Sequence, residues 1–225
     1  MSFIIDKGRN NKIIIKEIFS KMGSQIIVEG DNNLITIENN VMFRNSKISI
    51  LGNNNICLLS KDSQFKNSVL TLRNSSSIYI GKQTTLARGE IFAAESSCIK
   101  IGDNCMIAKG YEIRSSDVHP IWDINNGKRI NNSENILIGN HVWLAKDTMI
   151  MKGTELQSFT TVAARAVVTS KFNKKFIIIG GVPAKIIKSN VVWGRSVSSK
   201  TINQDKYLYS SQEFIDSSKE YTTQK

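Results

Sequence analysis

The chain has 225 residues, of which 40% are hydrophobic and 22% charged, and its formal net charge is +11. That length fits one elongated domain or two small ones with a substantial core, and no window approaches the ~18 consecutive apolar residues that cross a bilayer. A basic surface attracts polyanions such as nucleic acid, membrane, phosphorylated cofactors or acidic polysaccharide, but the sequence carries no helix-turn-helix, zinc-finger or RNA-stacking motif, which speaks against nucleic acid.

The first residues, Met1-Ser2-Phe3-Ile4-Ile5-Asp6, lack the basic, apolar, small-residue order of a signal peptide. Cys57, Cys98 and Cys105 have no metal-ligand spacing, so reduced thiols in a cytoplasmic protein are expected, with Cys98 in the core. Two short strand-like runs, Lys12–Ile15 and Gln25–Val28, come first. An internal repeat follows. Leu34, Ile56, Ile78 and Ile99 each open an alternating strand after a polar corner, at spacings of 22, 22 and 21 residues. Corners such as Gly30-Asp31-Asn32-Asn33 and Gly52-Asn53-Asn54-Asn55 use residues that accept left-handed backbone angles.

A shorter period lies inside the longer one. Ile80, Leu86 and Phe92 are six apart, as are Ile101, Ile107 and Ile113. Further on, every sixth residue is again aliphatic: Ile138, Leu144, Ile150, Leu156, Val162 and Val168. A helix repeats near 3.6 residues and a half-buried strand at 2. A period of six requires a corner after each short extended segment. Three segments close a triangular coil of about 18 residues, and stacked coils make a β-solenoid with the aliphatic residues inward. Position 119 is next after Ile113, and it holds histidine. The pattern stops at Ser115 and resumes at Ile136, which predicts a loop over 115–135, long enough to suggest a functional role. Residues 196–225 read as a mostly polar tail with a short helix near residues 212–220.

Three side chains stand out. His119 precedes Pro120, which drives it towards an extended conformation, and an imidazole suits general-base removal of a hydroxyl proton. His141, in Gly139-Asn140-His141-Val142-Trp143, is expected at a solvated corner. Trp143 precedes inward Leu144, so alternation turns it outward, to cover a neighbouring subunit, wall a cleft or donate its indole N–H.

The six-residue repeat, Ser-Ser-Asp-Val-His-Pro at 115–120, the loop, Ile-Gly-Asn-His-Val-Trp-Leu-Ala at 138–145 and Gly-Gly-Val-Pro-Ala-Lys-Ile-Ile at 180–187 together resemble the hexapeptide-repeat acyltransferases. The likeness is closer to sugar and capsular-polysaccharide O-acetyltransferases, including the sialic acid capsule enzymes and the galactoside and maltose acetyltransferases, and it covers residues 78–195. It implies an all-β fold, a left-handed parallel β-helix. Residues 1–77 would form irregular N-terminal coils, 78–195 the catalytic β-helix with loop 115–135, and 196–225 the tail. It also implies a homotrimer with sites between subunits, acetyl-CoA as donor, and no metal.

The same resemblance implies direct attack of an acceptor hydroxyl on the thioester, with His119 as general base and Trp143 beside the thiol and acetyl group. A backbone amide near Ala145, or the Trp143 indole, is the expected oxyanion donor. Asp117 would orient His119 or contact the sugar, and Ser115, Ser116, Trp122, Asp123 and Arg129 would line the acceptor cleft. Ala145, Ala163 and Ala164 would let the pantetheine arm lie along the coils, with Lys171, Lys174, Lys175 and Lys185 near the adenosine phosphates. The family commonly has Gly where this chain has Ala145, Ala163 and Arg165. The Arg165 cation would meet a phosphate or displace the pantetheine path.

The expected function is therefore acetyl transfer from acetyl-CoA to a hydroxyl of a sugar or acidic capsular polysaccharide. N-acylation of an amino sugar nucleotide and a non-catalytic scaffold are the alternatives. A γ-type carbonic anhydrase needs three zinc-binding histidines, and this chain has two.

Overall fold

The structure is a computed structural model that describes residues 2–205, 208 and 211–222. It divides into two compact units, Met1–Val191 and Val192–Lys225.

The first unit is a parallel β-solenoid of eight coils, each giving one strand to each of three sheets. Sheet 1 runs from Ile4–Asp6 to Val167–Val168, sheet 2 from Lys12–Ile15 to Lys171–Phe172, and sheet 3 from Ile18–Met22 to Ile177–Gly181. A final strand, Ala184–Ser189, folds back antiparallel on Ile177–Gly181. Ile13, Ile35, Cys57, Ile78, Ile99 and Ile136 share one register position, so the stack passes residue 77 without interruption. The period-six residues Ile138, Leu144, Ile150, Leu156, Val162 and Val168 are all inward and buried. No coil can bury its apolar side alone; stacking makes the core continuous.

The corners explain the polar part of the repeat. Asn40, Asp62, Gln83, Asn104, His141, Phe159 and Phe176 follow one another down the corner between sheets 2 and 3, each with positive φ. Inside the corner between sheets 1 and 2, Asn33 Nδ2 donates to Asn11 Oδ1 at 3.0 Å and Asn55 Nδ2 to Asn33 Oδ1 at 3.0 Å. This buried ladder satisfies each amide with its neighbour one coil away.

Two expected positions are corrected. Phe92 does not point inward: Ile91 and Ala93 belong to the core. Phe92 lies on the other face, covered by the Arg114 guanidinium at 4.5 Å and that of Arg73 at 5.8 Å. The corner before it is one residue shorter than a strict period allows. Cys98 is half-buried rather than core, whereas Cys57 and Cys105 are buried, and none of the three is in a disulfide.

The second unit holds a short 3-10 turn, Ile202–Gln204, and an α-helix, Gln212–Thr222, where the sequence predicts one. Leu208 and Phe214 are buried, so this segment is not uniformly exposed. No helix among the described residues is long and apolar enough to cross a membrane.

Candidate active site

The loop leaves sheet 1 after Tyr111–Arg114 and enters sheet 2 at Ile136–Ile138. It therefore grows from the corner between these two sheets. Its outer part is a hairpin: Trp122 pairs with Arg129, and the Ile130 amide donates to the Ile121 carbonyl at 2.9 Å. Asp123 closes the tip by accepting from the Asn125 amide and Asn126 Nδ2, both at 2.8 Å. It is a turn-former here. Ile121, Trp122, Ile124 and Ile130 stand exposed on this hairpin.

Glu95 anchors the base of the loop. Its carboxylate takes Arg129 Nη1 at 2.8 Å and Nη2 at 3.0 Å in a two-pronged pair, the geometry a planar guanidinium favours. It also accepts from Ser116 Oγ at 2.6 Å, and the Glu95 carbonyl accepts from Ser133 Oγ at 2.7 Å. Ser115 Oγ accepts from Ser97 Oγ at 2.6 Å and is fully buried. Ser116 is buried as well, at 1% exposure. The expectation that Ser115 and Ser116 touch the acceptor is thus corrected, because both hydroxyls hold the loop to its coil.

Asp117 is committed in the same way. Lys152 Nζ, from the corner one coil further on, pairs with its carboxylate, and Asn131 Nδ2 donates to it at 2.9 Å. Asn131 Nδ2 also reaches the His119 carbonyl at 2.9 Å, and Asn131 Oδ1 accepts from the Ile121 amide at 2.6 Å. Between Asp117 and His119, Val118 has φ 65, and the His119 amide donates back to the Asp117 carbonyl at 2.7 Å. A β-branched residue in that region is strained and persists only where its surroundings fix it. The turn pushes His119 into solvent, where it is exposed.

The charges respond accordingly. The Lys152 ammonium holds the Asp117 carboxyl below the usual range, helped by Asn131. The Arg129 hydrogen bond and then Ser116 do the same for Glu95. Both folded values lie below the unfolded ones, so the latch contributes fully above the unfolded carboxyl values and is lost as pH falls through the folded values. Trp122 fluorescence is expected to stay constant from neutral pH down to about 4.5, near the unfolded range, and to change only in stronger acid. A transition between pH 5 and 7 would contradict this assignment.

Trp143 lies on sheet 3, half-buried, in register between Met106 and Thr161. The sheet 1–sheet 2 corner that bears His119 is opposite this face in the coil's triangular section, so the two are not brought together within one chain. Just after the sheet 3 strands, Ala87, Ala108, Ala145 and Ala163 stack. The Ala145 amide donates to the Val162 carbonyl at 2.9 Å and the Ala163 amide to the Ile179 carbonyl at 2.8 Å. Gly180 ends the column, where an added Cβ would meet the Ala163 Cβ at 2.9 Å, and Lys185 pairs with Gly180 across the final hairpin. Ala164 and Arg165 are exposed at the following corner. Arg165 has φ 61, like Asn45, Asn67 and Asp147 in earlier coils, and so performs the turn that glycine would. Lys171 sits apart on sheet 2, paired with Glu155, which raises its pKa. Lys174 is exposed at the next corner.

His141 overturns the solvated-corner expectation. It is 3% exposed, and its ring meets Phe159 at 5.8 Å, with Phe159 stacked on Phe176 at 4.9 Å. The polar corner column of earlier coils becomes aromatic here. Glu95, Asn131 and Lys152 were missed by sequence reasoning. Asn131 and Lys152 lie 14 and 35 residues from Asp117, and no local spacing links either to it.

An exposed histidine on a latched loop, beside a solenoid with a small-residue column, defines a hexapeptide-type acyltransferase architecture. No family model matches the chain. The crystal structure of the polysialic acid O-acetyltransferase OatWY superposes with a TM-score of 0.89 and 37% identity, covering 93% of this chain and 99% of that one. The polySia specific acetyltransferase NeuO superposes with a TM-score of 0.88 and 32% identity, over 92% and 95% of the two chains. A polysialic acid O-acetyltransferase of Neisseria meningitidis is 39% identical over 132 residues, 59% of this chain and 61% of the relative. One from Escherichia coli O1:K1 / APEC is 37% identical over 131 residues, 58% of this chain and 42% of the relative. These two matches thus span less than two thirds of either relative. The chain belongs to the hexapeptide-repeat acetyltransferase family, close to its polysialic acid O-acetyltransferases.

Proposed function

We propose that the chain transfers acetyl from acetyl-CoA to a hydroxyl of polysialic acid or a similar acidic polysaccharide. The observation that carries this reading is the exposed His119 on its strained turn, in a chain similar over nearly its whole length to OatWY. The formal charge of +11 suits an anionic acceptor. Three cysteines outside any disulfide agree with a reducing, cytoplasmic setting.

Acetyl-CoA would supply the thioester. The small side chains of Ala87, Ala108, Ala145 and Ala163 would let an extended pantetheine arm lie along sheet 3 as far as Gly180, which Ile187 covers, with Arg165 and Lys185 near that C-terminal end for anionic groups. His119 takes the hydroxyl proton as the acceptor oxygen bonds to the thioester carbonyl carbon. The C–S bond breaks, and the imidazolium returns the proton to the departing sulfur. A backbone amide near Ala145 or the Trp143 indole stabilises charge on the carbonyl oxygen.

This chemistry needs His119 and Trp143 in one cleft, which supports a homotrimer with sites between subunits. The exposed apolar residues Ile121, Trp122, Ile124 and Ile130 would then cover a neighbouring copy. The test is thiol release from acetyl-CoA with polysialic acid, alongside the solution mass. Acceptor-dependent release from a trimer is expected. His119→Ala and Trp143→Ala should each be inactive alone, yet recover transfer when co-refolded. Release that ignores acceptor, or a monomer at full activity, would refute the reading.

A further inference from the structure

We propose that Asn131 and Lys152 are positioning residues for His119; this rests on the acetyltransferase reading above. Among the described residues, no side chain hydrogen-bonds the His119 imidazole. The carboxylate nearest in sequence, Asp117, is taken by Lys152 and Asn131. A base without an orienting partner depends on its backbone for placement. That backbone is fixed at four points: the Val118 amide on Ser116 Oγ, the His119 amide on the Asp117 carbonyl, the His119 carbonyl on Asn131 Nδ2, and the Ile121 amide on Asn131 Oδ1.

The clamp opposes a cost. Val118 at φ 65 favours relaxing to an extended conformation, which would swing His119 away. Asn131 closes the turn on one side. Lys152, whose side chain is 19% exposed, ties Asp117 to the next coil and so holds the other side to the rigid stack. Arg129 and Glu95 support the same turn from outside: Arg129 Nε donates to Asn131 Oδ1 at 3.2 Å, and Glu95 accepts from Ser116, whose Oγ takes the Val118 amide at 2.9 Å.

Steady-state kinetics on the full chain, with acetyl-CoA and polysialic acid, test this. Lys152→Met and Asn131→Ala are expected to lower kcat by about 10- to 100-fold, the scale of a small misplacement of a reacting group. KM for acetyl-CoA should stay unchanged, and Lys152→Arg should recover most of the rate. Amide exchange over residues 117–121 should quicken in both variants while the strands keep wild-type protection. Wild-type kcat in both variants would overturn the proposal, as would Lys152→Arg behaving like Lys152→Met or a loss of protection throughout the strands. If the wild-type chain transfers no acetyl group, the functional reading fails instead. Amide exchange then decides the clamp alone, and unchanged exchange at 117–121 overturns it.

Discussion

Replacing His119 with alanine is expected to lower kcat for acetyl transfer by about 10²- to 10⁴-fold, the usual contribution of a positioned general base. Folding should be unaffected. His119 is exposed, and its bonds to the Asp117 carbonyl and the Asn131 side chain are made through its own backbone, so alanine keeps both contacts. The unfolding temperature and the oligomer mass should match the wild type. His141→Ala gives the opposite signature: a buried corner ring is lost, stability falls, and the rate per folded molecule is retained. A loss below tenfold in His119→Ala would place the base elsewhere. Equal rate losses in both variants would mean that folding, and not proton transfer, was being measured.

The contrast between the two histidines shows how far the sequence could be read. Inward positions were legible because a six-residue period has few structural solutions, and Ile138 to Val168 occupy them as expected. The loop over 115–135 was legible as a break in that period. Phe92 was misassigned because a corner shortened by one residue moves the side chain to the other face. His141 was misassigned because corner environment depends on the coils above and below, and Phe159 lies 18 residues on. The same distance problem hid the latch. Ser115 and Ser116 look like site residues by position, yet their partners Ser97 and Glu95 are 18 and 21 residues away. In a solenoid, side-chain neighbours are one coil apart. A linear motif shows which residues leave the stack, and coil-to-coil register decides which of them stay free.

That one-coil range also governs stability, and Phe65 tests it. Phe65 is fully buried in the third coil, and its ring stacks on Phe43 at 5.1 Å with planes 18° apart. Phe65→Ala should cost about 3–5 kcal/mol, through lost burial and the cavity that remains. Because each coil touches only its neighbours, the damage should be local. Strands from Ile4–Asp6 to Ile56–Leu59 are expected to lose amide protection first. Strands from Ile136–Ile138 onward should keep it, and acetyl transfer should persist at temperatures where the first coils have opened. Leu144→Ala should cost about 2–5 kcal/mol but abolish transfer, because buried Leu144 sits in the chain between Trp143 and Ala145 of the column. Uniform loss of protection across all eight coils in Phe65→Ala would show that the solenoid opens as one unit. The N-terminal coils would then be energetically inseparable from the site-bearing ones, whatever their distance from His119.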